Sequence, residues 1–122
     1  MSRLEIIKEF TFEAAHRFGH MPADHPYNRL HGHSFRVEIG VAGTPAPETG
    51  WIVDFSALES AVAGLKETLD HRMLNDIAGL ENPSLENIAQ WIAKELAPDF
   101  PGLSMVRVLR PTLNQSAMLR LD

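Results

Sequence analysis

The sequence predicts an α+β fold in the order β-β-α-α-β-β, with an antiparallel four-stranded sheet and two helices packed on one of its faces. Three observations predict it. Apolar residues alternate with a period of two towards both ends of the chain. They recur every three or four residues in the middle. Segments rich in proline and glycine separate these blocks. A chain of 122 residues is the size of one domain, 1–122, and no internal repeat or low-complexity segment divides it.

The first strand spans Leu4 to His16. Phe10, Phe12, Ala14 and His16 share one parity, with Thr11 and Glu13 on the other, so one face is buried and His16 lies on it. The pattern stops from Arg17 to Leu30, where FGHMPADHPYNR reads as a loop. The second strand runs from His31 to about Ala42. His31, His33, Phe35, Val37, Ile39 and Val41 share its apolar face. GTPAPETG, from Gly43 to Gly50, is a turn or loop.

The first helix follows WIVDF. Asp54 or Ser56 can cap it, and Ser56 with Glu59 has capping-box spacing. Leu58, Val62, Leu65 and Leu69 form its apolar stripe, and it ends near Asp70. DHRMLNDIAGLEN reads as an irregular connection. The second helix starts after the Ser84 cap, carries Leu85, Ile88, Ile92 and Leu96, and stops before Pro98 and Pro101. LSMVRVLR, from about Leu103 to Arg110, is the third strand. A turn over Pro111 to Gln115 leads to SAMLRL, the fourth.

Composition narrows the function classes. Hydrophobic residues make up 44% and charged residues 22%, an ordinary globular mix. No apolar run is long enough to span a membrane, and the start resembles no signal peptide, so a cytoplasmic protein is expected. There is no cysteine, which removes disulfides, thiolate ligands and cysteine nucleophiles. A net charge of -5 argues against a nucleic-acid coat, but a local arginine cluster can still take an anionic substrate. Six histidines in so short a chain are the compositional oddity.

Histidines two apart on a strand project the same way, so His31 and His33 can grip one ion. His16, at matching parity on the neighbouring strand, supplies a third nitrogen. Three protein ligands with a fourth position open are the pattern of a catalytic zinc, although imidazoles also suit copper, iron or nickel. A lone histidine on an apolar face is more often a satisfied core residue; three at one parity shift that balance. Asp70 and His71 form a second candidate pair, since an Asp fixes the tautomer and raises the basicity of a neighbouring His. Such pairs are also common at helix ends without any role. Gly32 lets another group approach the backbone between the ligands.

FTFEAAHR, RLHGHSF, GWIVDFSAL, LDHRMLN and NPSLENIAQWI, in this order, resemble the 6-pyruvoyltetrahydropterin synthase family, and most of all its bacterial 6-carboxytetrahydropterin synthase branch of queuosine biosynthesis. The resemblance runs from about Glu9 to Leu96. It implies the tunnelling fold, with sheets joined into a barrel in a trimer or hexamer and active sites between subunits. It implies Zn2+ on His16, His31 and His33, and a catalytic pair in Asp70 and His71. The substrate it implies is 7,8-dihydroneopterin triphosphate, giving 6-carboxy-5,6,7,8-tetrahydropterin with release of acetaldehyde and triphosphate.

Two departures from the family pattern stand out. Tyr27 occupies the place of the catalytic cysteine. It is either a replacement acid-base group, helped by Arg29 or the metal, or a hydrogen-bonding and packing residue. Arg110 occupies the place of the glutamate that receives the amino-pyrimidine edge. A guanidinium only donates, so it suits a phosphate or carboxylate instead. Arg17, Arg29, Arg72 and Arg110 are the candidates for binding the triphosphate. These departures leave open a relative with another pterin-like substrate, cleaved for instance by a retro-aldol reaction, and a non-catalytic zinc- or ligand-binding oligomer.

Overall fold

The computed structural model of the chain describes residues 2–121. Strands β1 (Leu4–His16) and β2 (His31–Gly43) form the long antiparallel pair. Helix α1 (Phe55–Leu69) follows, then a short β3 (Arg72–Met73), helix α2 (Leu85–Leu96), β4 (Leu103–Arg110) and β5 (Gln115–Arg120). The sheet order is β3-β1-β2-β4-β5.

The sheet therefore has five strands, where the sequence predicts four. The extra one, β3, lies within the connection read as irregular and pairs parallel to β1 through Ala14↔Arg72 and Ala15↔Met73. Two residues are too few to express a period of two, so hydrophobic patterning carries no trace of it. At the start of α1, Asp54 is the cap: its carboxylate accepts from the Ser56 amide at 2.8 Å. Ser56 is the donor here, and the Ser56–Glu59 box does not form the cap. Ser84 caps α2, accepting from the Asn87 amide at 3.1 Å.

Both helices cover one face of the sheet. Phe10, Phe12, Phe35, Val37, Ile39, Val41, Val106 and Val108 point at Leu58, Leu65, Leu69, Ile88 and Ile92, and all are buried. Phe12 and Phe35 stack face to face with centroids 4.8 Å apart, a pairing worth about 0.5–1.5 kcal/mol beyond burial alone. The core ends where this alternation reaches histidine. His16 pairs directly with His31 across β1 and β2, and Ala14 with His33. The same parity that fills the core thus delivers three imidazoles to one end of it. No helix among the described residues is long and apolar enough to cross a membrane.

Candidate metal centre

His16, His31 and His33 converge, with one ring nitrogen of each within 4.8 Å of the others. Their ring centroids lie 4.6 Å (His16–His31), 5.0 Å (His16–His33) and 4.9 Å (His31–His33) apart. His16 is the deepest, 1% exposed, with the rings of Phe18 and Phe35 against it.

The tautomers follow from the partners. His16 Nδ1 lies 3.1 Å from the Pro83 carbonyl oxygen, and His31 Nδ1 lies 2.6 Å from that of Arg29. A carbonyl only accepts, so both Nδ1 atoms carry the proton, and each Nε2 keeps its lone pair. His16 Nε2 and His33 Nε2 are buried without a hydrogen-bond partner. Orphaned buried nitrogens at the centre of three converging imidazoles, two of them held by carbonyls at their outer nitrogens, are a donor set a metal ion takes up. The residues present fit a metal ion held by three imidazoles.

Electrostatics favour the neutral form of His16 and His33. Burial pushes the pKa of His16 down to about 4, helped by His31, His33 and Arg110, while the Pro83 hydrogen bond pulls the other way. Burial, then Arg110 and His31, also hold His33 below its ordinary value. Neutral imidazole is the form that ligates a metal.

A cleft of about 660 Å³ opens onto the nest. Its walls include His31, His33, Tyr27, Arg29, Arg110 and Phe18. Tyr27 is 56% exposed, on a one-turn 3-10 helix whose cap is His25; the His25 Nδ1 accepts from the Tyr27 amide at 3.1 Å. Arg110 is half-buried at the end of β4. Burial lowers the pKa of its guanidinium, while Tyr27 and Glu86 lie close enough to act the other way. Arg29 is exposed at the cleft mouth.

Asp70 and His71 lie elsewhere. Asp70 Oδ1 accepts from the Glu13 amide at 2.8 Å, and its Oδ2 is 3.0 Å from His71 Nδ1. The His71 amide donates to the Glu13 carbonyl at 2.6 Å. Those hydrogen bonds from Glu13 and His71 hold the Asp70 carboxyl below its usual range. His71 has a φ of 57°, a left-handed conformation that costs a non-glycine residue energy and places its ring outward. His71 opens on a second hollow of about 550 Å³, walled also by Glu13, Gly32, His33, Ser34 and Arg72 among others. Gly32, between the two β2 ligands, faces this hollow, and a Cβ there would meet the Ala14 carbonyl oxygen at 3.2 Å.

The chain thus brings His16, His31, His33, Tyr27, Arg29 and Arg110 together. It places His71, held by Asp70, at a neighbouring hollow that shares only His33 with the cleft. Arg72 lines the second hollow, and Arg17 a third. Sequence reasoning misses Glu13, whose backbone anchors the Asp70–His71 pair; it is an ordinary outward residue of β1 by pattern. It also misses Pro83 as the partner of His16, because a carbonyl leaves no signal in a sequence.

Residues 5–121 match the 6-pyruvoyl tetrahydropterin synthase family. The chain is 48% identical over 110 residues to a 6-carboxy-5,6,7,8-tetrahydropterin synthase from Synechocystis, covering 85% of this chain and 84% of that protein. It is 37% identical over 100 residues to a dihydroneopterin monophosphate aldolase from Pyrococcus furiosus, covering 82% and 81%. Among solved structures, the 6-pyruvoyl tetrahydropterin synthase of Caenorhabditis elegans superposes with a TM-score of 0.87 at 21% identity, over 100% of this chain and 98% of that one.

Proposed function

The chain belongs to the 6-pyruvoyl tetrahydropterin synthase family, and from that premise we propose that it is a zinc-dependent pterin lyase, a single tunnelling-fold domain working in the cytoplasm on the route to queuosine. The reaction is the conversion of 7,8-dihydroneopterin triphosphate to 6-carboxy-5,6,7,8-tetrahydropterin, with acetaldehyde and triphosphate leaving. One observation carries this reading: the orphaned Nε2 atoms of His16 and His33 in a nest of three imidazoles at the base of the cleft.

His16, His31 and His33 would hold the zinc, which when bound polarises side-chain hydroxyls of the substrate. The chain's own residues do the rest. The Pro83 and Arg29 carbonyls fix the tautomers of His16 and His31 so that each of these two presents a lone pair. His71 donates from Nδ1 to Asp70, which leaves Nε2 free to take and return a proton. Tyr27, at the cleft wall, would pass a proton to or from the substrate side chain through its hydroxyl. Arg29 and Arg110 receive its anionic groups.

The two hollows bear on assembly. Tyr27 and His71 serve one substrate if the cleft of one chain faces the Asp70–His71 hollow of another. Strands β3 and β5, at the two borders of the sheet, each leave one edge unpaired, and a homo-oligomer that joins these edges into a barrel closes both. This supports a trimer or hexamer with sites between subunits.

The 37% identity to an aldolase favours a second reading, in which carbon–carbon cleavage of the side chain gives a shortened pterin and a two-carbon aldehyde. One experiment separates the two. Purified protein is assayed for metal and then incubated with 7,8-dihydroneopterin triphosphate under reducing conditions. We expect about one zinc per chain, lost in His31→Ala and His33→Ala, together with triphosphate and 6-carboxytetrahydropterin. A shortened pterin still carrying no carboxylate selects the aldolase reading. Native protein without metal, or no turnover of any dihydroneopterin phosphate, overturns both.

A further inference from the structure

Arg110 closes β4 beside the nest, and no ion pair among the described residues holds it there. Its Nε is buried without a hydrogen-bond partner. Among the described residues no carboxylate lies within ion-pair distance of it; the ion pairs present join Lys8 to Glu59, Arg36 to Glu9, His71 to Asp70 and Arg107 to Glu38. No carboxylate among the described residues lines its cleft, whose walls include Tyr27, His33, Phe18 and Leu113; its cross-strand partner is Gln115, and Glu86, whose charge acts on it, neither lines the cleft nor pairs with it. The other cation of the cleft, Arg29, is exposed and needs no partner.

A half-buried guanidinium with an orphaned N–H costs free energy until an acceptor reaches it. It offers donors only, in a planar fork that matches the two oxygens of a phosphate or carboxylate. A ring edge that itself carries N–H donors finds nothing to bond there. The same cleft exposes His31 and His33, so one ligand can touch the metal position and Arg110 together.

We propose that Arg110 is an oxyanion receptor that sets the orientation of the ligand: a phosphoryl or carboxylate group of the side chain docks on the guanidinium, and the donor-bearing ring edge points away from β4. This rests on the pterin reading above for the identity of the ring, but the oxyanion site stands without it.

The test is calorimetric titration of inorganic triphosphate, acetate and neopterin into the wild-type protein, Arg110→Gln and Arg110→Lys, zinc-loaded and metal-free. Losing a charge-assisted, forked contact should weaken triphosphate binding about tenfold or more in R110Q, with partial recovery in R110K. The dependence on Arg110 should persist without zinc, which removes direct ligation as its cause. Loss for triphosphate alone assigns the site to the phosphoryl tail; loss for acetate as well assigns it to either oxyanion. Anion affinities equal within twofold in wild type and R110Q overturn the proposal. Neopterin failing to bind while the Arg110 dependence holds overturns the pterin reading alone. The Arg110 Nε–H signal in NMR spectra of the wild-type protein reads the same contact without a substitution. It should shift on adding triphosphate, and a signal unmoved at saturation overturns the proposal even if R110Q does not fold.

Discussion

Asp70 accepts a hydrogen bond from the backbone amide of Glu13 at 2.8 Å, across 57 positions of sequence. The His71 amide returns a bond to the Glu13 carbonyl, so one residue of β1 grips both members of the pair. The loop after α1 is thereby fixed to the same strand that carries His16. Asp70→Asn keeps an acceptor for the Glu13 amide but loses the charge that stabilises a protonated His71. We expect normal folding and zinc content with kcat reduced roughly 10²-fold, the scale of one positioned acid-base group. Steady-state kinetics check it, and an unchanged kcat removes the pair from the chemistry. Asp70→Ala should in addition lower Tm, because Glu13 then loses its partner.

Tyr27→Phe isolates the hydroxyl. The ring packs against His25 at 4.7 Å and Phe18 at 6.1 Å, contacts that phenylalanine keeps. Zinc content and melting temperature should stay at wild-type values while turnover falls by roughly 10²-fold, as for loss of a general acid-base group. Unchanged turnover would assign the residue to packing and leave the proton transfer to His71.

The convergence of His16, His31 and His33 was legible in the sequence because strand parity is a two-state property. Once Phe10 and Phe12 define the buried face, His16 must share it, and His31 and His33 follow from Phe35. Helix stripes were legible for the same reason. The short β3 was not, since two residues carry no period. The distance between Tyr27 and the Asp70–His71 pair was not legible either. It depends on the path of the loop from Arg17 to Leu30 and on the left-handed turn at His71, and neither has a hydrophobic pattern. The orphaned Nε of Arg110 depends on which groups fail to reach it in space, and no local sequence reports that.

The pH dependence of the metal-free protein follows from His16. Its folded pKa, about 4, lies below the ordinary value of 6.5, so the unfolded chain binds the proton first as pH falls. Stability is then fully present above pH 6.5, declines between 6.5 and 4, and levels off below. Denaturant midpoints across this range check it. His16→Gln should flatten the slope, and an equally steep decline in that variant would exclude His16 as its cause. Zinc should suppress the decline, because a ligated imidazole is held neutral.

Gly32 tests how tightly the strands must meet. An added methyl would press on the Ala14 carbonyl oxygen at 3.2 Å, and Ala14 pairs with His33 in the register. Relief requires β1 and β2 to part at the end where the ligands sit. Gly32→Ala should therefore weaken zinc affinity about tenfold, the scale seen when the support of metal ligands is disturbed. Competition with a chelator measures it. Affinity equal to wild type would mean that the strand pair yields without moving the imidazoles.

Gly64 supplies the opposite case, on the exposed side of α1. A Cβ there meets nothing within 4 Å, and the residue stands in the interior of a helix running from Phe55 to Leu69. Glycine at such a place costs backbone entropy on folding, so Gly64→Ala should raise stability by about 0.5–1 kcal/mol. Because Gly64 touches neither the cleft nor the Asp70–His71 hollow, zinc affinity and turnover should not change. Chemical denaturation gives the first quantity and kinetics the second. A stability gain accompanied by lost turnover would show that α1 moves during the reaction, since a stiffer helix would then hinder a step that the static site does not contain.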